Sequence, residues 1–218
     1  MVNRIVGLHF SPRGGTATIT ERITGEIFDK LSECDLGEVT CESYDLFRRP
    51  EEMPELDENT VVVIGMPTRI GKLPMPAIRL LREAQGAGAM TVDVVSYGTN
   101  SYGNALYELY DLTDGQGFKV IGAGAFIAKH AGVSGDVLKR PDAEDIKEII
   151  DFASAVASKI KRLAGCDVEG LRIKPAPLYV DGKRPVHRIS RVSPKAAAAA
   201  ELALEKIFVK RKKSEWHL

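Results

Sequence analysis

The run TVVVIGM at residues 60–66 constrains this chain most. It is almost wholly β-branched or apolar, and it is too short for a helix that would bury one stripe. Such a run reads as a strand buried on both faces, at the centre of a sheet that is covered on both sides. Four further stretches read as strands. RIVGLHF (4–10) is a second buried run, whereas Val39, Cys41 and Ser43 alternate with Thr40, Glu42 and Tyr44 in the polar period-two pattern of an edge strand. TVDVVS (91–96) and residues 118–127 complete the set, the last thinned by Gly122 and Gly124.

Helical patterns alternate with these strands. Ile19, Ile23, Ile27 and Leu31 recur every fourth residue and form one apolar stripe. Pro74 and Pro76 suit the opening of a second helix carrying Ile78, Leu80 and Leu81, which Gly86 and Gly88 are expected to end. A third contains Leu106, Leu109 and Tyr110. The fourth is long, capped by Asp142, with a stripe of Ile146, Ile149, Ile150, Ala153, Val156 and Ile160. Strands alternating with helices of this length imply βαβ crossovers and a parallel sheet. The expected fold is α/β, a doubly wound five-stranded sheet in the order 2-1-3-4-5, with the polar second strand at its edge.

Composition bounds the rest. The chain has 218 residues, of which 44% are hydrophobic, enough for one core and an appendage. The expected division is a domain over 1–165 and a basic C-terminal extension over 166–218, a connector followed by a short helix. Formal charge is zero, but residues 166–218 hold 12 Lys or Arg against 6 Asp or Glu, so the extension carries +6 and the body −6. Ser193 and Pro194 suit the opening of the extension's helix, Leu204, Ile207 and Phe208 its apolar face, packed on the body or on a second subunit. KRKK at 210–213 reads as a solvated end, and no basic, aromatic surface accompanies it, so nucleic acid is not an expected partner. No apolar run approaches the roughly 20 residues that span a bilayer, and the amino terminus lacks a secretory pattern, which points to the cytoplasm. Cys34, Cys41 and Cys166 are too scattered for a metal site or a disulfide framework.

The loops after the first, third and fourth strands carry the chemistry. In SPRGGT, Ser11 and Thr16 offer hydroxyls, as does Thr18 just beyond. Gly14 and Gly15 let the backbone bring bare amides to one point ahead of a helix N-terminus. That is a phosphate cradle, to which Arg13 adds charge; an ordinary turn capped by Ser or Thr is the bland alternative. It is neither a Walker loop nor the GxGxxG fingerprint. PTRIGKLP and YGTNSYGN follow strands three and four, so all three loops gather at the carboxyl edge, at the switch point between strands one and three. Asp93 is expected at a strand margin or hydrogen-bonded, and His9 is expected to be a satisfied core histidine.

Taken together, these loops resemble those of flavodoxins, and most closely the flavodoxin domain that precedes a ferredoxin module in bacterial and archaeal fusion proteins. SPRGGT (11–16), PTRIGKLP (67–74), YGTNSYGNAL (97–106) and GAFIAKHA (124–131) stand where that domain reads much like SPTGTT, PVYGGRLP, YGNRAYEDAL and GAFVGEHS. The resemblance covers about residues 2–163. It implies that FMN binds, with its phosphate held by Ser11, Arg13, Gly14, Gly15 and Thr16. Pro67, Thr68, Arg69, Ile70 and Gly71 would border the flavin ring, and Tyr97, Gly98, Asn100 and Tyr102 would close its other side. The peptide at Ile70 and Gly71 is the implied site of rearrangement beside the ring. The chain departs from the resemblance in three places. Arg69 stands where relatives usually have Tyr, Arg13 replaces a small or hydroxyl residue, and clustered cysteines for an iron–sulfur module are absent after Cys166. The implied function is electron transfer between protein partners. Two alternatives stay open: an NAD(P)H-dependent flavin or quinone reductase, with Tyr97, Tyr102, Arg69 and His130 around its pocket, and a cofactor-free binding protein of the same fold.

Overall fold

The computed structural model describes residues 2–33, 38–98, 101–129 and 140–163. Its elements alternate as expected: β1 (Arg4–His9), α1 (Gly15–Ser32), β2 (Thr40–Asp45), β3 (Thr60–Pro67), α2 (Met75–Leu81), β4 (Met90–Tyr97), α3 (Ala105–Gly115), β5 (Lys119–Ile127) and α4 (Ala143–Leu163). The strands form one sheet in the order β2-β1-β3-β4-β5, and every pair is parallel. The fold is flavodoxin-like α/β.

The period of two along β3 divides the core. Val61 and Val63 face α1 and α4, meeting Ile19, Ile23 and Ile27 together with Ile149, Val156 and Ile160. Val62, Ile64 and Met66 face the opposite layer, where Leu80, Leu81, Leu106 and Leu109 come from α2 and α3. Each layer therefore covers a sheet face that neither water nor another strand could satisfy. β2 has exposed or half-buried side chains throughout and pairs only with β1, as an edge strand does. Among the described residues, no helix is long and apolar enough to cross a membrane.

Helix α1 packs on the sheet through threonines set over strand glycines. Besides its isoleucines it buries Thr16, Thr20 and Thr24, and the hydroxyls of Thr20 and Thr24 donate to the carbonyls four residues earlier, at 2.9 and 2.8 Å. Beneath them lie strand glycines. A Cβ on Gly65 would stand 1.7 Å from Thr20 Oγ1, and one on Gly7 would stand 3.1 Å from Thr24 Oγ1.

At the helix ends one expectation needs correction and another holds. Helix α2 stops at Leu81, ahead of Gly86, because Gln116 from the end of α3 donates its side-chain amide to the carbonyls of Leu81 and Ala84. Gly86 serves packing instead: a Cβ there would meet Phe118 N at 2.4 Å. Asp142 caps α4, its Oδ1 accepting the amides of Glu144 and Asp145 at 3.0 Å, while Asp145 returns a carboxylate to the Asp142 amide at 2.9 Å. The buried stripe of α4 runs through Ile149, Ala153, Val156, Ala157 and Ile160, leaving Ile146 and Ile150 half-buried.

Asp93 sits in mid-strand rather than at a margin. It is fully buried and accepts hydrogen bonds from Thr113 Oγ1 at 2.8 Å and Thr91 Oγ1 at 3.3 Å. Cys41 is an exposed thiol on β2. Cys34, Cys166, Asn100, His130 and the whole extension over 166–218 lie outside the described residues.

Candidate functional site

The cradle after β1 is built from its backbone outward. Phe10 is buried beneath the loop, and Gly14 turns it with φ of 85°, a left-handed conformation that glycine adopts without strain. A Cβ on Gly14 would meet nothing within 4 Å, so this face of the loop is open. Ser11 Oγ accepts the Ala17 amide at 2.9 Å, which leaves the hydroxyl its own hydrogen as a donor. The Thr18 amide returns to the Gly14 carbonyl at 3.0 Å, closing the first turn of α1. Ahead of that turn the Gly15 and Thr16 amides have no helical acceptor, and the first turn holds no acidic side chain. A positive helix end therefore points at an open glycine loop, with the exposed Arg13 beside it.

Thr16 plays a different part from the one its hydroxyl suggests in sequence. It is buried, and its Oγ1 shares a hydrogen bond of 2.7 Å with Ser96 Oγ at the end of β4. That bond ties the cradle to the second group of loops. Gly15 is close-packed there too, since a Cβ would stand 3.3 Å from Ala128 Cβ beyond β5.

The loops after β3 and β4 are clasped together. Arg69 and Lys72 exchange backbone hydrogen bonds at 2.8 and 3.1 Å around Ile70 and Gly71, whose φ values are 54° and 76°. Positive φ at both central residues is the mirror-image turn of tight hairpins. Gly71 rests on Gly103, where a Cβ would stand 2.5 Å from the Gly71 carbonyl oxygen, and the Gly71 carbonyl accepts the Asn104 amide at 2.7 Å. Glu108 from α3 accepts the Leu73 amide at 2.8 Å, and the Thr68 amide donates to the Ser96 carbonyl at 2.7 Å. The Tyr97 and Tyr102 rings meet edge to face with centroids 5.5 Å apart, both half-buried. Thr68 Oγ1 is buried with no hydrogen-bond partner, which a ligand donor or acceptor at this loop would satisfy.

Ile70 is strained. A β-branched residue in the left-handed region costs on the order of 1–2 kcal/mol. Ile70→Gly should therefore raise the unfolding free energy by about 1 kcal/mol in urea denaturation, glycine's extra chain entropy offsetting part of the relief. An unchanged or lower stability would mean that the turn does not hold Ile70 as described.

The structure thus gathers Ser11, Arg13, Gly14, Gly15 and Thr16 on one side of the edge and Pro67–Gly71, Tyr97, Gly98 and Tyr102 on the other. Sequence reasoning missed Ser96 and Gly103. Ser96 carried no signal, because its partner Thr16 is 80 residues away; Gly103 was visible only as a loop glycine. Among the described residues, no group of His, Cys, Asp and Glu could hold a metal ion.

These features define the edge of a flavodoxin-like α/β protein, and the solved structures agree on the fold. A flavodoxin from the domain Archaea superposes with a TM-score of 0.52 at 20% identity, covering 72% of this chain and 99% of that one. The rubredoxin oxygen:oxidoreductase of the anaerobe Desulfovibrio gigas gives 0.51 at 13% identity, covering 76% of this chain and only 38% of its own. An NADH:FMN oxidoreductase, in its apo form, gives 0.51 at 11% identity over 72% of this chain and 90% of that one. No protein-family model matches the chain, and no curated protein matches it.

Proposed function

We propose that the chain binds FMN and passes electrons between protein partners. The observation that carries this reading is the open α1 N-terminus behind a left-handed Gly14, set on the same edge as the clasped loops that contain the orphaned Thr68 hydroxyl. Gly15 and Thr16 would supply amides to the phosphate, Gly14 the open left-handed turn that admits it, Ser11 a hydroxyl donor and Arg13 a charge. Pro67, Thr68, Arg69, Ile70 and Gly71 would hold one border of the flavin ring, and Tyr97, Gly98, Asn100 and Tyr102 the other. Bound flavin would supply the redox chemistry, so the side chains need only position it and shape its surroundings. Arg69 brings a positive charge to the ring's border in place of an aromatic face. The net charge of −6 on residues 1–165 suits a basic redox partner, and the +6 extension suits contact with that body or with a second copy. The flavodoxin domain of a ferredoxin fusion is the nearest pattern, the cytoplasm is the fitting location, and a second copy would make a homodimer.

The test is the visible absorption spectrum of the protein after FMN is added and excess removed. Retained flavin supports the reading, and colourless protein sinks it. Gly14→Asp places a carboxylate in open space against the phosphate position. It should weaken FMN binding at least 100-fold, about 3 kcal/mol, while the circular dichroism of the sheet is unchanged. Equal affinity in that variant would remove the phosphate from this loop.

A further inference from the structure

The turn at residues 69–72 is pinned on both sides. Going in, the Thr68 amide is fixed to the Ser96 carbonyl of β4, and across the turn Arg69 and Lys72 satisfy each other's backbone groups. Coming out, the Leu73 amide donates to Glu108 Oε2 at 2.8 Å, and the Leu73 side chain is buried in the layer that α2 and α3 form. Between these pins the tip is left unsatisfied. Among the described residues, none accepts the Ile70 or Gly71 amide and none donates to the Ile70 carbonyl. Two adjacent donors and an acceptor, beside the orphaned Thr68 hydroxyl, are what the tip offers to a ligand. His9, whose enclosed Nδ1 also lacks a partner among the described residues and so departs from the satisfied core histidine expected, lines a separate cleft beside β2 and has no part in this turn.

Glu108 makes its bond in an unusual direction. It stands half-buried in the first turn of α3, where a carboxylate ordinarily serves the amides at the start of its own helix. This one crosses instead to a segment 35 residues earlier in the chain. A carboxylate accepting an amide makes a stronger bond than two neutral groups do. The other links from α3 to the turn run through backbone: the Gly71 carbonyl accepts the Asn104 amide at 2.7 Å, and Gly71 rests on Gly103. Among the described residues, Glu108 is thus the side chain by which α3 holds the turn. That hold bears on Ile70, because a β-branched residue stays left-handed only where its surroundings over-determine it.

We propose that Glu108 is a positioning residue for the flavin ring. By holding the Leu73 amide it fixes the exit of the turn, and with it the direction in which the tip's amides and carbonyl face. It therefore sets how firmly the ring is held while acting through the turn rather than on the ring. The phosphate cradle lies after β1, on other elements, so the effect is confined to the ring end of the ligand. The ligand in this inference rests on the function proposed above; the anchoring of the turn by Glu108 does not.

The experiment compares the full chain with Glu108→Ala, which removes the acceptor, and Glu108→Gln, which keeps an oxygen for the Leu73 amide. FMN and riboflavin are titrated by fluorescence quenching and inorganic phosphate by calorimetry, and the exchange of the Leu73 amide is followed by NMR. The alanine variant should weaken FMN and riboflavin by the same factor, about tenfold, and leave inorganic phosphate within about twofold of the parent. The glutamine variant should bring both flavins back to within about threefold. Exchange at Leu73 should quicken about tenfold in the alanine variant while the β3 amides exchange as before. Flavin affinities unchanged by Glu108→Ala would overturn the proposal, and so would an equal loss of flavins and phosphate, which marks a general loosening of the fold. Should the parent hold neither flavin, the function proposed above fails and exchange alone decides the anchor: quickening in the alanine variant that glutamine reverses retains it, and unchanged exchange overturns it.

Discussion

Gly65→Ala should cost about 3 kcal/mol or more of stability, a large share of the roughly 5–15 kcal/mol that holds a domain together. The added methyl carbon would stand 1.7 Å from Thr20 Oγ1 and 2.9 Å from Thr20 Cβ. Thr20 has nowhere to go, being fully buried with its hydroxyl donating to the Thr16 carbonyl at 2.9 Å. Relief therefore requires the whole of α1 to lift from β3. Thr20→Ala in the same chain should recover part of the loss, because it removes the worst overlap and leaves the Cβ pair tight. Urea denaturation of the two single variants and the double variant gives the coupling directly. A Gly65→Ala protein as stable as its parent would show that helix and strand are further apart than described.

The second large effect is a pH dependence centred on Asp93. Burial raises its pKa from the ordinary 3.8 to about 7, against the smaller opposing pull of hydrogen bonds from Thr113 and Thr91. Neither threonine is committed to Asp93 alone. Thr113 Oγ1 has one hydrogen and three oxygens within reach: Asp93 Oδ2 at 2.8 Å, the Leu109 carbonyl at 3.0 Å and the Tyr110 carbonyl at 3.1 Å. Thr113 therefore divides its hydrogen between Asp93 and its own helix, and Thr91 divides its hydrogen between Asp93 Oδ1 and the Val62 carbonyl, so their pull toward the carboxylate is weaker than the cost of burying it. A folded pKa above the unfolded one means that the folded state holds the proton longer. This group's contribution is therefore complete below pH 3.8 and is lost as pH rises to about 7. The loss approaches about 1.4 kcal/mol per pH unit in that interval. Asp93→Asn cannot ionise, so its unfolding free energy should lack this downward slope. Denaturation of parent and variant at pH 5 and pH 8 checks it, and parallel pH profiles would mean that Asp93 stays ionised in the folded state.

How much of this was legible in sequence follows from the range of the interactions involved. The strand runs, the isoleucine stripe of α1 and the Asp142 cap are local patterns, and each is found where its pattern predicts. The sheet order 2-1-3-4-5 was consistent with the polarity of β2 and with the gathering of three loops at one edge, and the strands pair in that order. What could not be read depends on residues distant in the chain. Gln116 ends α2 from 35 residues away, and Thr113 makes a buried mid-strand carboxyl tolerable from 20 residues away. The threonine stripe of α1 reads as polar in sequence, yet it is the face set closest to the sheet, because Gly7 and Gly65 leave room for it. The loop's glycines and hydroxyls were legible, but Thr16 turns inward to Ser96 while Ser11 accepts the Ala17 amide at the start of α1.

The seating of α1 on glycines has a consequence for tuning. The helix is a rigid rod whose N-terminal amides face the cradle, and its height above the sheet is set by how small the residues under it are. Position 7 therefore acts as a shim. Its nearest obstacle, Thr24 Oγ1 at 3.1 Å, would yield by a few tenths of an ångström rather than fail. A single methyl group in the apolar interior could thus retune ligand affinity at a rim it never touches, a slow-acting adjustment that leaves every contacting residue as it was.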